Sequence, residues 1–204
     1  LPRKLEDPDF APDFGSAVFV PEFGAMVTGA RKFLVAYNVN LNVSDKRWAN
    51  RVAFDVREMG RTVVGPDGKK TQQPGMLKAV RGVGWVIPEY GCAQVSMNLI
   101  DIDVTPIHAA FDACDESARQ RGLRATGSEL VGLVPKGALL EAGRHYLESM
   151  GRSRGVPEAD IVHTAVRSLG LNEVSEFTPA EKIIENILAP DRPLASMTLQ
   201  EFAD

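Results

Sequence analysis

The sequence predicts an α+β sandwich of β-α-β-β-α-β order with additional C-terminal helices. Three observations lead there. Residues 33–43 read as a strand: by period two, Phe33, Val35, Tyr37, Val39 and Leu41 make one apolar face, and Leu34, Ala36, Asn38 and Asn40 make a second that turns polar halfway along. Two helix patterns, after Ser44 and after Thr105, are each bracketed by extended stretches, and a helix-rich final third opens at Pro135. This order is the split βαβ, or ferredoxin-like, arrangement. In it the first and third strands are central neighbours, and both helices cover one face.

The elements follow in order. Prolines 2, 8, 12 and 21 and glycines 15, 24 and 29 rule out a long helix at the N-terminus. A short strand is expected at 18–20. The rest of that segment reads as an ordered loop, because Phe10, Phe14, Phe19 and Phe23 are too apolar for a disordered tail. The strand at 33–43 comes next, then a helix capped by Ser44, carrying Trp48, Val52, Val56 and Met59 as its stripe and closed by Gly60. The PDG at 66–68 marks a hairpin. Extended stretches at 76–87 and 92–103 are separated by the PEYG turn. Thr105 and Pro106 start a helix with Ile107, Ala110, Phe111, Cys114 and Ala118 inward, ended by Gly122. A fourth extended stretch follows at 123–134. Helices are expected from Pro135 to about Met150, from Pro157 to Leu169, and from a capping box at Thr178 to about Leu188. Residues 189–195 read as a linker, and 197–204 as the first turns of an unfinished element.

Composition limits the possible functions. The chain has 204 residues, 44% of them hydrophobic, enough to bury a core. Lys and Arg total 23 against 27 Asp and Glu, with no basic block, which disfavours nonspecific nucleic-acid or membrane-surface binding. Only two cysteines, Cys92 and Cys114, point to a reducing compartment. No apolar run reaches membrane-spanning length, and no signal-peptide pattern is present. The first residue is Leu rather than Met, so a processed or excised piece is expected.

Pairing the first strand with the third sets Asn38 and Asn40 beside Gln94, Ser96 and Asn98, all on the face away from the helices. A ligand or an interface is the preferred reading. A merely solvated face would carry more Lys, Glu and Thr. RNA-binding sheets of this order stack bases on central aromatics, but Tyr37 falls on the helix-packed side. GVG at 82–84 lies within a strand and is no dinucleotide loop; close backbone approach explains it better. Glu129 could accept from a ligand N–H, although composition alone makes it a bulge residue facing water. His108, His145 and His163 are scattered, with no metal-ligand spacing and no nucleophile triad.

PDFG at 12–15, FVPEFGAMVTGARKFLVAYNVNL at 19–41, GVGW at 82–85, AQVSMNL at 93–99 and GSELVGLVP at 127–135 together resemble the formiminotransferase region of glutamate formiminotransferases and of bifunctional formiminotransferase–cyclodeaminases. The likeness runs from about residue 2 to 188. It implies transfer of a formimino group from N-formimino-glutamate to tetrahydrofolate in histidine breakdown, with folate held between two ferredoxin-like subdomains and no metal. It implies a folate-binding loop at Gly15, Ser16, Ala17, Val18, Phe19, Val20, Pro21, Glu22, Phe23 and Gly24. Asn38, Asn40, Gln94, Asn98 and Glu129 follow as tunnel-face candidates from face geometry. The implied organisation is 1–33 as loop segment and linker from an N-terminal subdomain, 34–188 as the C-terminal subdomain, and 189–204 as linker and start of a cyclodeaminase domain.

One departure matters. The family's catalytic histidine belongs to a His-Pro motif in the first subdomain, and no histidine here precedes a proline. The chain is therefore expected to supply folate contacts and no catalytic residue, and to be inactive alone. Implied partners are folate, formiminoglutamate, the N-terminal subdomain and further copies in a homo-oligomer, in the cytoplasm, without nucleic acid or membrane. A non-catalytic ferredoxin-like module that binds a small ligand or self-associates is the alternative.

Overall fold

A computed structural model describes residues 2–24, 26 and 28–189. The chain divides into two compact units, residues 1–31 and 32–204. The expected domain start at 197–204 lies outside the described residues.

The first unit holds a single helical turn, α1 (Pro2–Leu5), and a 3-10 turn at Pro8–Phe10 whose start is capped by the Asp7 carboxylate. No strand forms at 18–20; Pro21 turns the chain directly after it, and Val20 O accepts from both Phe23 N and Gly24 N. Phe14 and Phe23 are 93% and 89% exposed, so the phenylalanines form no core of their own. A segment this short lacks the volume to bury them.

The second unit is built on a four-stranded antiparallel sheet in the order β4-β5-β1-β6. Its strands are β1 (Val35–Leu41), β4 (Val80–Ile87), β5 (Cys92–Leu99) and β6 (Ala125–Val131). The hairpin at PDG is a separate ribbon of β2 (Arg61–Val64) and β3 (Lys70–Gln73). Val35, Tyr37, Val39 and Leu41 of β1 and Ala93, Val95, Met97 and Leu99 of β5 point to one face. There they pack with α2 (Lys46–Val56) and α3 (Ile107–Arg119) in one core. At about 25 cal/mol per Å² of apolar surface, that burial is the main stabilising term.

Caps differ from the sequence expectation at three helices. Asp45, not Ser44, caps α2, accepting from Arg47 N at 2.9 Å, and Met59 lies outside the buried stripe of Ala49, Val52, Ala53 and Val56. Thr105 does not cap α3. Pro106 holds that position, and the Thr105 hydroxyl donates instead to Lys78 O at 2.7 Å. The capping box at Thr178 fails too, and the helix expected from there to Leu188 is broken in two: α6 (Pro179–Lys182) and α7 (Ile184–Leu188). Ile183 is extended between them because its neighbours serve Val134. Val134 N donates to Lys182 O, and Ile184 N donates to Val134 O. Glu185 of α7 then accepts from Lys136 N at 2.8 Å and closes the start of α4 (Lys136–Ser149), which has no side-chain cap of its own. α5 (Glu158–Ser168) packs beside α4 through Ile161, Val162, Ala165 and Val166.

The outer edge of β4 is partly covered by α2 and the residues after it. Glu58 N donates to Val80 O, Arg57 Nη1 to Gly82 O, and Gly84 N to Asn50 Oδ1 at 3.0 Å. The helix comes this near because residue 84 has no side chain. A Cβ there would stand 2.1 Å from Asn50 N. The sequence expectation of close backbone approach at GVG holds at this glycine. We expect Gly84→Ala to force α2 off the sheet and cost about 3 kcal/mol, at the upper end for overpacking. A lower urea midpoint at unchanged slope would report it.

Candidate functional site

The sheet face opposite α2 and α3 is organised in rows, because the register sets one residue of each strand beside the next. The first row reads Trp85, Gln94, Asn40, Gly127, and the second Val83, Ser96, Asn38, Glu129. The third is Arg81, Asn98, Ala36, Val131. Period-two alternation puts all of these on one face. The sequence-predicted tunnel-face residues Asn38, Asn40, Gln94, Asn98 and Glu129 therefore do share a surface.

They do not share an environment. Asn40 and Gln94 are fully buried, Asn38 is nearly so, Glu129 is half-buried and Asn98 is exposed. A hydrogen-bond chain runs along the first row. Trp85 Nε1 donates to Gln94 Oε1 at 2.9 Å, Gln94 Nε2 to Asn40 Oδ1 at 2.7 Å, and Asn40 Nδ2 to Glu173 Oε2 at 2.7 Å. An indole N–H only donates and a carboxylate only accepts, so the two ends fix the orientation of both amides between them. In the second row Asn38 Nδ2 donates to Glu129 Oε2 at 3.2 Å. Glu129 thus meets a partner within the row.

Glu173 belongs to the segment after α5, which folds over the β6 edge. Ser128 N donates to Gly170 O at 3.1 Å, and the carboxylate reaches Asn40 across Gly127. A Cβ at residue 127 would lie 2.3 Å from Glu173 Oε2, so only glycine leaves the passage open. Trp85 and Glu173 escaped the sequence reading. Trp85 was legible, since alternation along 80–87 puts it on the amide face with Val83. Glu173 was not, because no local pattern says where a loop residue lands.

The loop at 15–24, in the other unit, begins and ends with left-handed glycines, Gly15 at φ 81° and Gly24 at φ 63°. Phe19 is half-buried, and the rest of the loop is exposed.

The histidines, scattered in sequence, are partly gathered. His108 of α3 stacks on His145 of α4 with centroids 4.2 Å apart. Asp112 faces His145 Nε2 at 3.1 Å and accepts from Tyr146 Oη at 2.9 Å. His108 Nδ1 is buried with no hydrogen-bond partner among the described residues. Desolvation, reinforced by His145 and opposed by Asp112, holds the His108 imidazole below its ordinary value of 6.5. These groups lie on the helix layer, away from the amide face. Among the described residues no cluster of three or more His, Cys, Asp or Glu is placed to hold a metal ion, and no helix is long and apolar enough to cross a membrane.

Comparison with known proteins adds the family. The model for the formiminotransferase domain matches residues 36–189. The formimidoyltransferase-cyclodeaminase of Gallus gallus is 45% identical over 205 residues, covering 99% of this chain and 36% of the relative. That of Dictyostelium discoideum is 42% identical over 208 residues, 100% of this chain and 37% of the relative. The glutamate formimidoyltransferase of Thermoplasma acidophilum is 33% identical over 155 residues, 76% of this chain and 46% of the relative. The chain thus spans little more than a third of the bifunctional relatives.

Two outcomes follow from the geometry. Glu173→Leu leaves the buried Asn40 amide without its acceptor and should cost about 1–3 kcal/mol, whereas Glu173→Gln keeps an acceptor oxygen and most of that stability; urea unfolding separates them. His108 has a folded-state pKa below its unfolded value. Its contribution is therefore fully present above about pH 6.5 and is lost as pH falls from there through the folded value. His108→Phe should remove that part of the acid-side loss in melting temperature between pH 7.5 and 5.5, read by scanning calorimetry.

Proposed function

The chain belongs to the formiminotransferase domain family, and from that premise we propose that it is the C-terminal half of a glutamate formimidoyltransferase. The complete protein moves a formimino group from N-formimino-L-glutamate to tetrahydrofolate in histidine degradation. It also carries a formimidoyltetrahydrofolate cyclodeaminase. The family match over residues 36–189 carries this reading. The accessible polar groups of the amide face, Asn98 and Glu129, suit a heterocyclic ligand with N–H and C=O edges, and the strand order β4-β5-β1-β6, with α2 and α3 in the crossovers, supports a ferredoxin-like sandwich of the kind the family pairs in two copies.

In the reaction the N5 amine attacks the formimino carbon, and a tetrahedral adduct forms. The adduct collapses by breaking the bond from that carbon to the glutamate nitrogen, while the proton lost from N5 reaches the departing amine. A histidine of the N-terminal subdomain carries that proton. Holding both substrates in one tunnel supplies proximity. His108, His145 and His163 lie on α3, α4 and α5, and none precedes a proline. That supports reading the chain as inactive in transfer by itself.

We assign folate contact first to the loop 15–24, then to the accessible members of the amide face, Asn98 and Glu129. Buried Asn38, Asn40 and Gln94 shape that face from beneath. On this reading residues 1–33 are the folate-loop segment and linker from the N-terminal subdomain, 34–188 the C-terminal subdomain, and 189–204 a linker and the start of a cyclodeaminase domain. The protein works in the cytoplasm as a homo-oligomer.

Reconstitution tests this. Neither this chain nor a separately produced N-terminal subdomain should release glutamate from formiminoglutamate in the presence of tetrahydrofolate, and the mixture should. A mixture as silent as its parts, although the parts associate, would favour a non-catalytic binding module.

A further inference from the structure

Trp85 has a setting that solvent exposure alone does not explain. Large aromatic side chains are mostly buried, yet this indole is 40% exposed and lies on the edge strand beside Val83, itself 52% exposed. Its polar atom is already satisfied, because Nε1 donates to Gln94. The exposed part is therefore ring, held at a fixed tilt by a buried amide that is in turn held by Asn40 and Glu173. Three properties sit together here: a clean aromatic surface, restricted rotation, and carboxylates on the β6 side, Glu129 at the end of the second row and Glu173 reaching over Gly127.

The complement of that arrangement is a heterocycle with one flat face to meet the indole and an N–H edge to meet acceptors. Strands are about 4.8 Å apart, so the face from β4 to β6 is about 14 Å wide. A bicyclic heterocycle fits within that width and spans from the indole toward the carboxylate side. Arg81, exposed in the third row on the Trp85 strand, supplies a positive charge where an anionic tail would leave. Acceptors thus stand at one border of the face and a cation at the other.

Resting on the proposed function, we propose that Trp85 is the stacking platform for the flat aminopyrimidinone half of the folate's bicyclic ring. Gln94 acts as the positioning residue that holds the indole at that tilt. Trp85 discriminates ligands by their ring, not by their tail. Aromatic stacking on a fixed side chain changes affinity by about one to two orders of magnitude when the side chain is truncated.

The experiment uses the full-length transferase, with tetrahydrofolate under anaerobic conditions and with p-aminobenzoylglutamate, which has the tail but no bicyclic ring. Trp85→Leu is expected to raise the folate Kd and KM about tenfold or more. It should leave the KM for formiminoglutamate and the Kd for p-aminobenzoylglutamate within twofold, at unchanged oligomeric state and with a folded circular-dichroism spectrum. Trp85→Phe, which keeps a ring, should recover most of the affinity. Four results would overturn the assignment: an unchanged folate Kd in Trp85→Leu, equal loss with Phe and Leu, equal loss for both ligands, or dissociation of the two subdomains. A wild-type enzyme that binds no folate removes the proposed function along with it. One that binds folate but ignores residue 85 removes only the stacking platform.

Discussion

A buried amide must have its donors and acceptors met, and Asn40 is where this protein meets that requirement. Its oxygen accepts a hydrogen bond from Gln94, and its nitrogen donates one to Glu173. Leaving either group unmatched costs about 1–3 kcal/mol, comparable to a large share of what a domain of this size has in reserve. Around that requirement several other features become necessary. Gly127 must lack a side chain, the chain after α5 must return over β6, and Gln94 must present its oxygen to Trp85. The central strand thus carries two kinds of order at once. Dispersion and hydrophobic burial hold Tyr37 and Val39 on one side, and directional hydrogen bonds hold Asn38 and Asn40 on the other.

How much of this was legible in the sequence depends on the range of the interaction. The alternation along β1 and β5 was enough to place the amides on one face, because side-chain direction in a strand is a local property. The helix stripes were legible for the same reason. Capping was misread at Ser44 and Thr105, where a competing partner decided the outcome: Asp45 for the first helix and Lys78 O for the second. Thr178 keeps its place at a helix start without a side-chain cap bond, and the helix expected beyond it is broken at Ile183 by the Val134 backbone. Glu173 and Glu185 were invisible because each acts on residues far away in sequence, Asn40 and Lys136.

The same distinction applies to the candidate site. Local pattern found Asn38, Asn40, Gln94 and Asn98 but could not say which would be consumed by internal bonds. The structure leaves Asn98 exposed and sinks Asn40 and Gln94. Residues that look alike in a pattern therefore divide into those that can touch something else and those that hold the former in place. Motif resemblance identified the family and could not make that division.

The partly covered edge of β4 has a further consequence. With Val80, Gly82 and Gly84 already bonded to Glu58, Arg57 and Asn50, the backbone there has little to offer another chain. Continuous sheets shared between neighbouring molecules are a common way for such proteins to assemble and a common way for them to form fibrils. At that border a helix and one missing methyl group stand in the way of both routes, leaving part of the strand's backbone already spent inside the molecule.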